Sequence, residues 1–161
     1  FKRVIPLFIV NPKQVSDVNS YKSEKSLAFM KTALKELSKA CKGNLNVIYG
    51  ETVNVIKDIA SKTKLDCVVI NKDYSPFAVD REQKIQNLTL KLKVKFKSFH
   101  DILLVDEFIL NDNGDHYKRF TPFYKKVSST AIRKPFTSKS KNFNTKVLSN
   151  NFLQMEFIND D

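Results

Sequence analysis

Three short apolar runs constrain this chain more than any other feature. Val4–Val10 reads V-I-P-L-F-I-V, Leu45–Tyr49 reads L-N-V-I-Y, and Leu65–Asn71 holds the run Cys67-Val68-Val69-Ile70. Each is far too short to cross a membrane and bounded by turn residues, the pattern of strands covered on both faces of a parallel sheet. Between them lie stretches with helical spacing. From Ser20 onward, Tyr21, Leu27, Met30, Leu34 and Leu37 recur near 3.6 residues, lysines fill the opposite face, and Gly43 stands where a helix would stop. Thr52 is placed to cap a helix over Val53–Lys62, with Val55, Ile56 and Ile59 on one face. Strand, helix, strand, helix, strand in this succession predicts right-handed βαβ crossovers and a parallel sheet. Pro6 cannot donate to a ladder, so the paired part of the first strand is expected to begin beside it. Asn11-Pro12-Lys13-Gln14 then breaks the run.

The third run opens into Asn71–Glu82, N-K-D-Y-S-P-F-A-V-D-R-E. Pro76 excludes helix before that point, and Arg81–Leu88 is expected to be helical with Ile85 and Leu88 toward the sheet. The stretch is therefore a strand-to-helix crossing at the carboxyl end of a strand, where open α/β sheets bind ligands. Downstream, Leu90, Leu92, Val94 and Phe96 alternate with Lys91, Lys93, Lys95 and Lys97. A period of two predicts a strand with one apolar face and one row of ammonium groups. Two readings stand: an edge strand guarded by lysine, or a ribbon that tracks nucleic-acid phosphates. Phe99–Leu104 is the last expected strand region. Residues 1–124 read as the folded domain and 125–161 as a basic linker and tail, since Lys125–Lys146 carries seven basic residues and no acid. Val147–Asp161 adds a few apolar residues and an acidic tip, suited to a short docked helix or a loose end.

A chain of 161 residues suits one domain. The net charge is +11, but 24 of the 28 basic residues are lysine, and arginine is what bidentate phosphate recognition favours. Charge of this kind supports association with DNA without specificity. There is no membrane-length apolar run and no secretory signal pattern, so a soluble intracellular protein of cytoplasm or nucleus is expected, not a secreted one. Cys41 and Cys67 read as reduced buried thiols, and with His100 and His116 they make no metal-ligand spacing. No P-loop, G-x-G-x-x-G or nucleophile elbow occurs. His116 beside Asp115 reads as a solvated turn.

Taken in order, N-x-D-Y-S-P-F-x-x-x-R at Asn71–Arg81, F-x-D-x-L-L at Phe99–Leu104 and Y-x-x-F-T-P-F at Tyr117–Phe123 resemble the amino-terminal α/β domain of the photolyase/cryptochrome family. The resemblance spans residues 1–125 and adds a P-x-Q at Pro12–Gln14 and the helix around Lys25–Leu34. It implies a Rossmann-like doubly wound parallel sheet that lacks the family's first, central strand, W-F-R-x-D-L-R, and the helix after it. Two strand pairs with exposed inner edges would remain. It also implies an antenna domain for a light-harvesting pigment, with Asn71, Asp73, Tyr74 and Arg81 near the pigment or bracing its loop. An Asp73–Arg81 pair is the plainer expectation for that loop, with Tyr74 plugging the interdomain face. Folate-binding relatives carry Asn-Glu where Phe77-Ala78 stands, so a deazaflavin or flavin is expected over a folate. The family's R-D is Arg81-Glu82 here. Phe120, Thr121, Pro122 and Phe123 would lead toward a helical FAD domain, with Thr121 capping a turn and Pro122 at its first position. That domain would lie outside this chain and be a separately encoded partner, and the chain alone, with no tryptophan, would not perform photochemistry. Against the reading of a truncated or split photolyase stand a nonfunctional remnant or general nucleotide-binding module, and a basic DNA-associating protein.

Overall fold

The structure is a computed structural model that describes residues 2–105, 109–135 and 142–143. Strand β1 (Leu7–Val10) is followed by a one-turn helix α1 (Pro12–Val15), helix α2 (Glu24–Ala40) and strand β2 (Asn46–Tyr49). Helix α3 (Thr52–Lys62), strand β3 (Cys67–Asn71), helix α4 (Pro76–Lys91) and strand β4 (Lys95–Phe99) come next, and helix α5 (Phe120–Ser128) follows a long connection. The strands pair in two parallel ladders, β1 with β2 and β3 with β4. Leu7 stands opposite Asn46 in the first and Cys67 opposite Lys95 in the second. The fold is thus α/β, and its sheet is interrupted between β1 and β3, where the resemblance places the absent strand.

The apolar runs become strands because both faces of β1 and β2 are covered. On one face Val10 and Val47 are buried with Leu34 of α2, joined by Phe8, Val15, Met30 and Leu45. On the other, Ile48 is buried with Val55 and Ile59 of α3, and Ile5, Leu7, Ile9 and Leu65 pack around them. Helix α4 lies against α3 and β4, burying Ala78, Ile85 and Thr89. Handedness explains the division. Right-handed crossovers account for α2 on one face of the β1–β2 ladder and α3 on the other.

Several local expectations are corrected by side-chain and capping chemistry. Helix α2 starts at Glu24, not Ser20, because the Ser23 side chain accepts from the Ser26 N–H, and Tyr21 before it is 93% exposed. Glu51, not Thr52, caps α3: its carboxylate accepts from Val53 and Asn54, while Thr52 is the first helical residue and buried. Asn11–Gln14 does not only break the strand, since Asn11 caps α1 with Pro12 at its start. The alternation Leu90–Lys97 is not one strand. Leu90 and Lys91 finish α4, Leu92 caps it, Lys93 turns the chain at φ 56°, and β4 begins only at Lys95. A period of two across a helix end is coincidence, and the four lysines do not form a ribbon. The expected strand at Phe99–Leu104 is likewise displaced to Lys95–Phe99, leaving Ile102, Leu103 and Leu104 exposed in a bend.

Cys41 is buried and Cys67 half-buried, both free thiols. Among the described residues no helix is long and apolar enough to cross a membrane, and no cluster of three metal-ligating side chains occurs. The readings made for Val147–Asp161 lie outside the described residues, as does part of Lys125–Lys146.

Candidate functional site

The β3–α4 connection gathers the four residues singled out in the sequence. Asn71 is the last residue of β3, opposite Phe99, and Lys72 donates its N–H to the Phe99 carbonyl at 2.8 Å, closing the end of the ladder. The chain then has four residues in which to reverse. Asp73 accepts from the Ser75 N–H at 3.0 Å, an Asx turn, and Ser75 accepts from the Ala78 N–H at 3.4 Å as the cap of α4, with Pro76 at the first helical position. These side-chain bonds substitute for the backbone ladder at the turn, which is why the segment N-K-D-Y-S-P holds its shape without burial.

The Asp73 carboxyl is held below its usual range, chiefly by the Ser75 N–H that it accepts. Arg81 adds only a smaller attraction, and no ion pair joins Asp73 to Arg81 among the described residues. The expected loop-bracing pair is therefore absent. The Arg81 guanidinium instead sits 5.7 Å from the centroid of the Phe77 ring, a cation–π contact across the first turn of α4. Tyr74 does not stand alone at a domain face either. Its hydroxyl lies 2.6 Å from His100 Nδ1, and the two rings are 6.0 Å apart with planes tilted by 39°. This bond ties the mouth of β3 to the residue just after β4. His100 was missed in the sequence because no motif position marks it; only the register of β4 brings it beside Tyr74.

Electrostatics at this carboxyl edge are specific. A helix amino end is an anion site when its N–H groups are free. Here the Glu51 carboxylate occupies two of them on α3, and Asp73 and Ser75 hold the start of α4. A phosphate at either end would meet a carboxylate. Tyr74, 40% exposed and tilted against His100, and Phe77, 38% exposed beneath the Arg81 guanidinium, stand beside that edge. The arrangement suits an aromatic heterocycle better than a phosphate seated on a helix.

The other singled-out residues lie elsewhere. Helix α5 contains Phe120–Phe123, but its cap is Arg119, so Thr121 and Pro122 are its second and third residues and neither starts it. None of α5 is buried: Phe120 is 74% exposed and stacks on Tyr124 at 5.7 Å, while Phe123 meets Tyr117 edge-on at 6.0 Å. A shallow open recess of 450 Å³ lies between the turn at Asn111–His116 and the start of α5. Of the four lysines, Lys91 ends α4, Lys93 is in the turn, and Lys95 and Lys97 share the outer face of β4.

A family model described as DNA photolyase matches residues 2–141. Among solved structures, the chain is similar to an archaeal photolyase from Sulfolobus tokodaii, at 34% identity with a TM-score of 0.76. The match covers 88% of this chain and 32% of that one, whose structure holds two FAD molecules and is described as implying a novel light-harvesting cofactor. A bacterial class III photolyase from Agrobacterium tumefaciens matches at 21% identity and a TM-score of 0.69, over 80% of this chain and 27% of its own, and shows the fold alone. The chain spans about a third or less of each. The comparison with curated proteins gives no match.

Proposed function

Because the chain belongs to the DNA photolyase family, we propose that it works as the light-collecting α/β part of a photolyase-type system. It would bind a flavin-type pigment at the β3–α4 mouth and support light-driven DNA repair only together with an FAD-binding helical domain. The observation that carries this reading is the Tyr74–His100 bond, which fixes an exposed aromatic ring at the carboxyl end of the sheet without any phosphate-binding helix end beside it. In this reading Tyr74 supplies the stacking face, Asp73 and Ser75 keep the turn rigid, and Arg81 lies over the Phe77 ring at the first turn of α4. A bound flavin would supply absorption in the blue and near ultraviolet; the chain's own residues orient it and shield one face from water.

Two features support the pairing with a helical partner. The similar Sulfolobus tokodaii chain is about three times as long as the matched part, and both α5 and Ile102–Leu104 expose large apolar side chains that a docked domain would cover. Glu51 fills the amino end of α3, so in this reading any phosphate on a bound flavin lies away from that helix end.

Titration of the purified chain with FAD, FMN and a deazaflavin, read by quenching of ligand fluorescence, tests the reading. Saturable binding that weakens tenfold or more, about 1.4 kcal/mol, in Tyr74→Ala but not in Tyr124→Ala is expected. No saturable binding of any of the three, or equal effects at both positions, refutes it.

A further inference from the structure

We propose that Tyr74 and His100 form a one-electron donor site at the mouth of the sheet. Tyr74 gives an electron to a photoexcited aromatic oxidant of the isoalloxazine class while its phenol proton passes to His100 Nδ1. The donor property stands on the chain's own geometry; its use by a bound pigment rests on the function proposed for the mouth.

The chain contains no tryptophan, so its five tyrosines are its most readily oxidised aromatic side chains. The proton governs how readily a phenol gives up an electron. Once the electron leaves, the O–H becomes a strong acid, and the step is favoured where a base within hydrogen-bond reach takes the proton in the same event. Among the described residues, Tyr74 alone of the five bonds such a base, with its hydroxyl 2.6 Å from His100 Nδ1. No described group bonds the hydroxyls of Tyr21, Tyr49, Tyr117 and Tyr124, which must release their protons to water. Greater exposure does not compensate for the missing base, although Tyr21 and Tyr124 are more open to an oxidant than Tyr74.

Both partners are in place before any oxidant arrives. Lys72 donates its N–H to the Phe99 carbonyl, so the segments that carry Tyr74 and His100 leave the β3–β4 ladder side by side. The Asx turn from Asp73 to the Ser75 N–H fixes the backbone on either side of Tyr74. Asp101, next to His100, is turned to Arg133, which leaves Tyr74 as the described partner of the imidazole. Transfer along this bond needs no rearrangement of either ring. It requires the His100 tautomer with its proton on Nε2.

In the step the Tyr74 O–H bond breaks and an Nδ1–H bond forms. Tyr74 becomes a neutral phenoxyl radical, His100 an imidazolium, and the oxidant gains one electron. Return of that electron, with the proton going back from Nδ1, restores the pair. Beside a pigment this cycle drains excitation before it is passed on, so the pair acts there as a quencher.

Flash oxidation of the purified chain by a soluble ruthenium–polypyridyl photo-oxidant, with no pigment present, tests the donor. The narrow absorption band of a neutral phenoxyl radical should appear, more slowly in heavy water. Tyr74→Phe should remove its fast phase and Tyr124→Phe should leave it intact. His100→Ala should slow that phase about tenfold or more, and added imidazole should restore it, which a merely structural loss would not allow. Should a variant unfold by circular dichroism, nitrogen NMR of the wild type still decides: Nδ1 of His100 should be the unprotonated ring nitrogen at neutral pH. A fast phase that survives Tyr74→Phe, a rate indifferent to His100→Ala, or a proton found on Nδ1 overturns the proposal. At saturating FMN, emission of the bound flavin should be quenched by the wild type and recover in His100→Ala; emission that stays quenched overturns the use by a pigment. Failure of FMN to bind overturns the pigment reading instead, and the flash result decides the donor without it.

Discussion

Replacing Ile85 by alanine tests how the half of the domain that carries the candidate site is held together. Ile85 is 2% exposed on α4, which packs against α3 and β4, and its buried companions on that helix are Ala78 and Thr89. Both larger apolar clusters belong to β1 and β2 with α2 and α3. Ile85 is the one large aliphatic side chain among the buried residues of α4. Ile85→Ala removes three carbons, about 2.4 kcal/mol at roughly 0.8 kcal/mol each. A residual cavity of about 50 Å³ adds about 1.2 kcal/mol at roughly 24 cal/mol per Å³, for a total near 3.5 kcal/mol. That is a large share of the roughly 5–15 kcal/mol that stabilises a domain. Urea unfolding reads it through circular dichroism and tyrosine fluorescence, which no tryptophan obscures in this chain. With a slope of about 2 kcal/mol per molar, the midpoint should fall by about 1.7 M. Leu34→Ala, 3% exposed in the other half, provides the reference. If pigment binds at Tyr74, Ile85→Ala should also weaken it by the fraction of molecules whose β3–β4 half is open. A loss below about 1 kcal/mol would falsify the claim that Ile85 anchors this half.

Three further outcomes follow from the turn and the caps. The Asp73 carboxyl is depressed in the folded state, so it contributes stability above the unfolded carboxylate range that is lost as pH falls through its lower folded value; acid unfolding of Asp73→Asn should lack that component, and an unchanged acid profile contradicts a carboxyl held down by the Ser75 N–H. Tyr74→Phe removes only the bond to His100 and should cost about 0.5–1 kcal/mol or less in urea while loosening the β3–α4 mouth to exchange. Glu51→Ala removes the cap of α3 at a cost of about 1 kcal/mol and should raise affinity for inorganic phosphate, measured by calorimetry; unchanged phosphate affinity would mean that the carboxylate is not what guards that helix end. Illuminated alone with DNA containing cyclobutane dimers, the 161-residue chain should repair none, as read by dimer-specific cleavage.

The three apolar runs and the helical stretches between them sufficed to place this chain among α/β folds, because burial on both faces leaves a strand no polar residues and right-handedness leaves few ways to connect such strands. The spacing placed a helix at Arg81–Leu88, whereas Ser75 caps α4 and Pro76 opens it five residues earlier. Where a pattern ran across an element boundary it misled. The alternation at Leu90–Lys97 has the period of a strand, yet its first residues close α4, since a helix already packed on β4 and α3 keeps its last turn regardless of the spacing beyond it. The turn residues Asn71, Asp73 and Tyr74 were legible as a motif, but not their bonds. Asp73 turned to the Ser75 N–H two residues away rather than to Arg81, and Arg81 to Phe77. His100 could not be found at all by local reading, because its meeting with Tyr74 depends on a register between strands separated by a whole helix. Sequence by itself determined the α/β class, the first three strands and the helices between them, and the edge on which a site could form. Tertiary structure alone decided which side chains meet there, because that depends on how distant segments align, and no single segment carries that alignment.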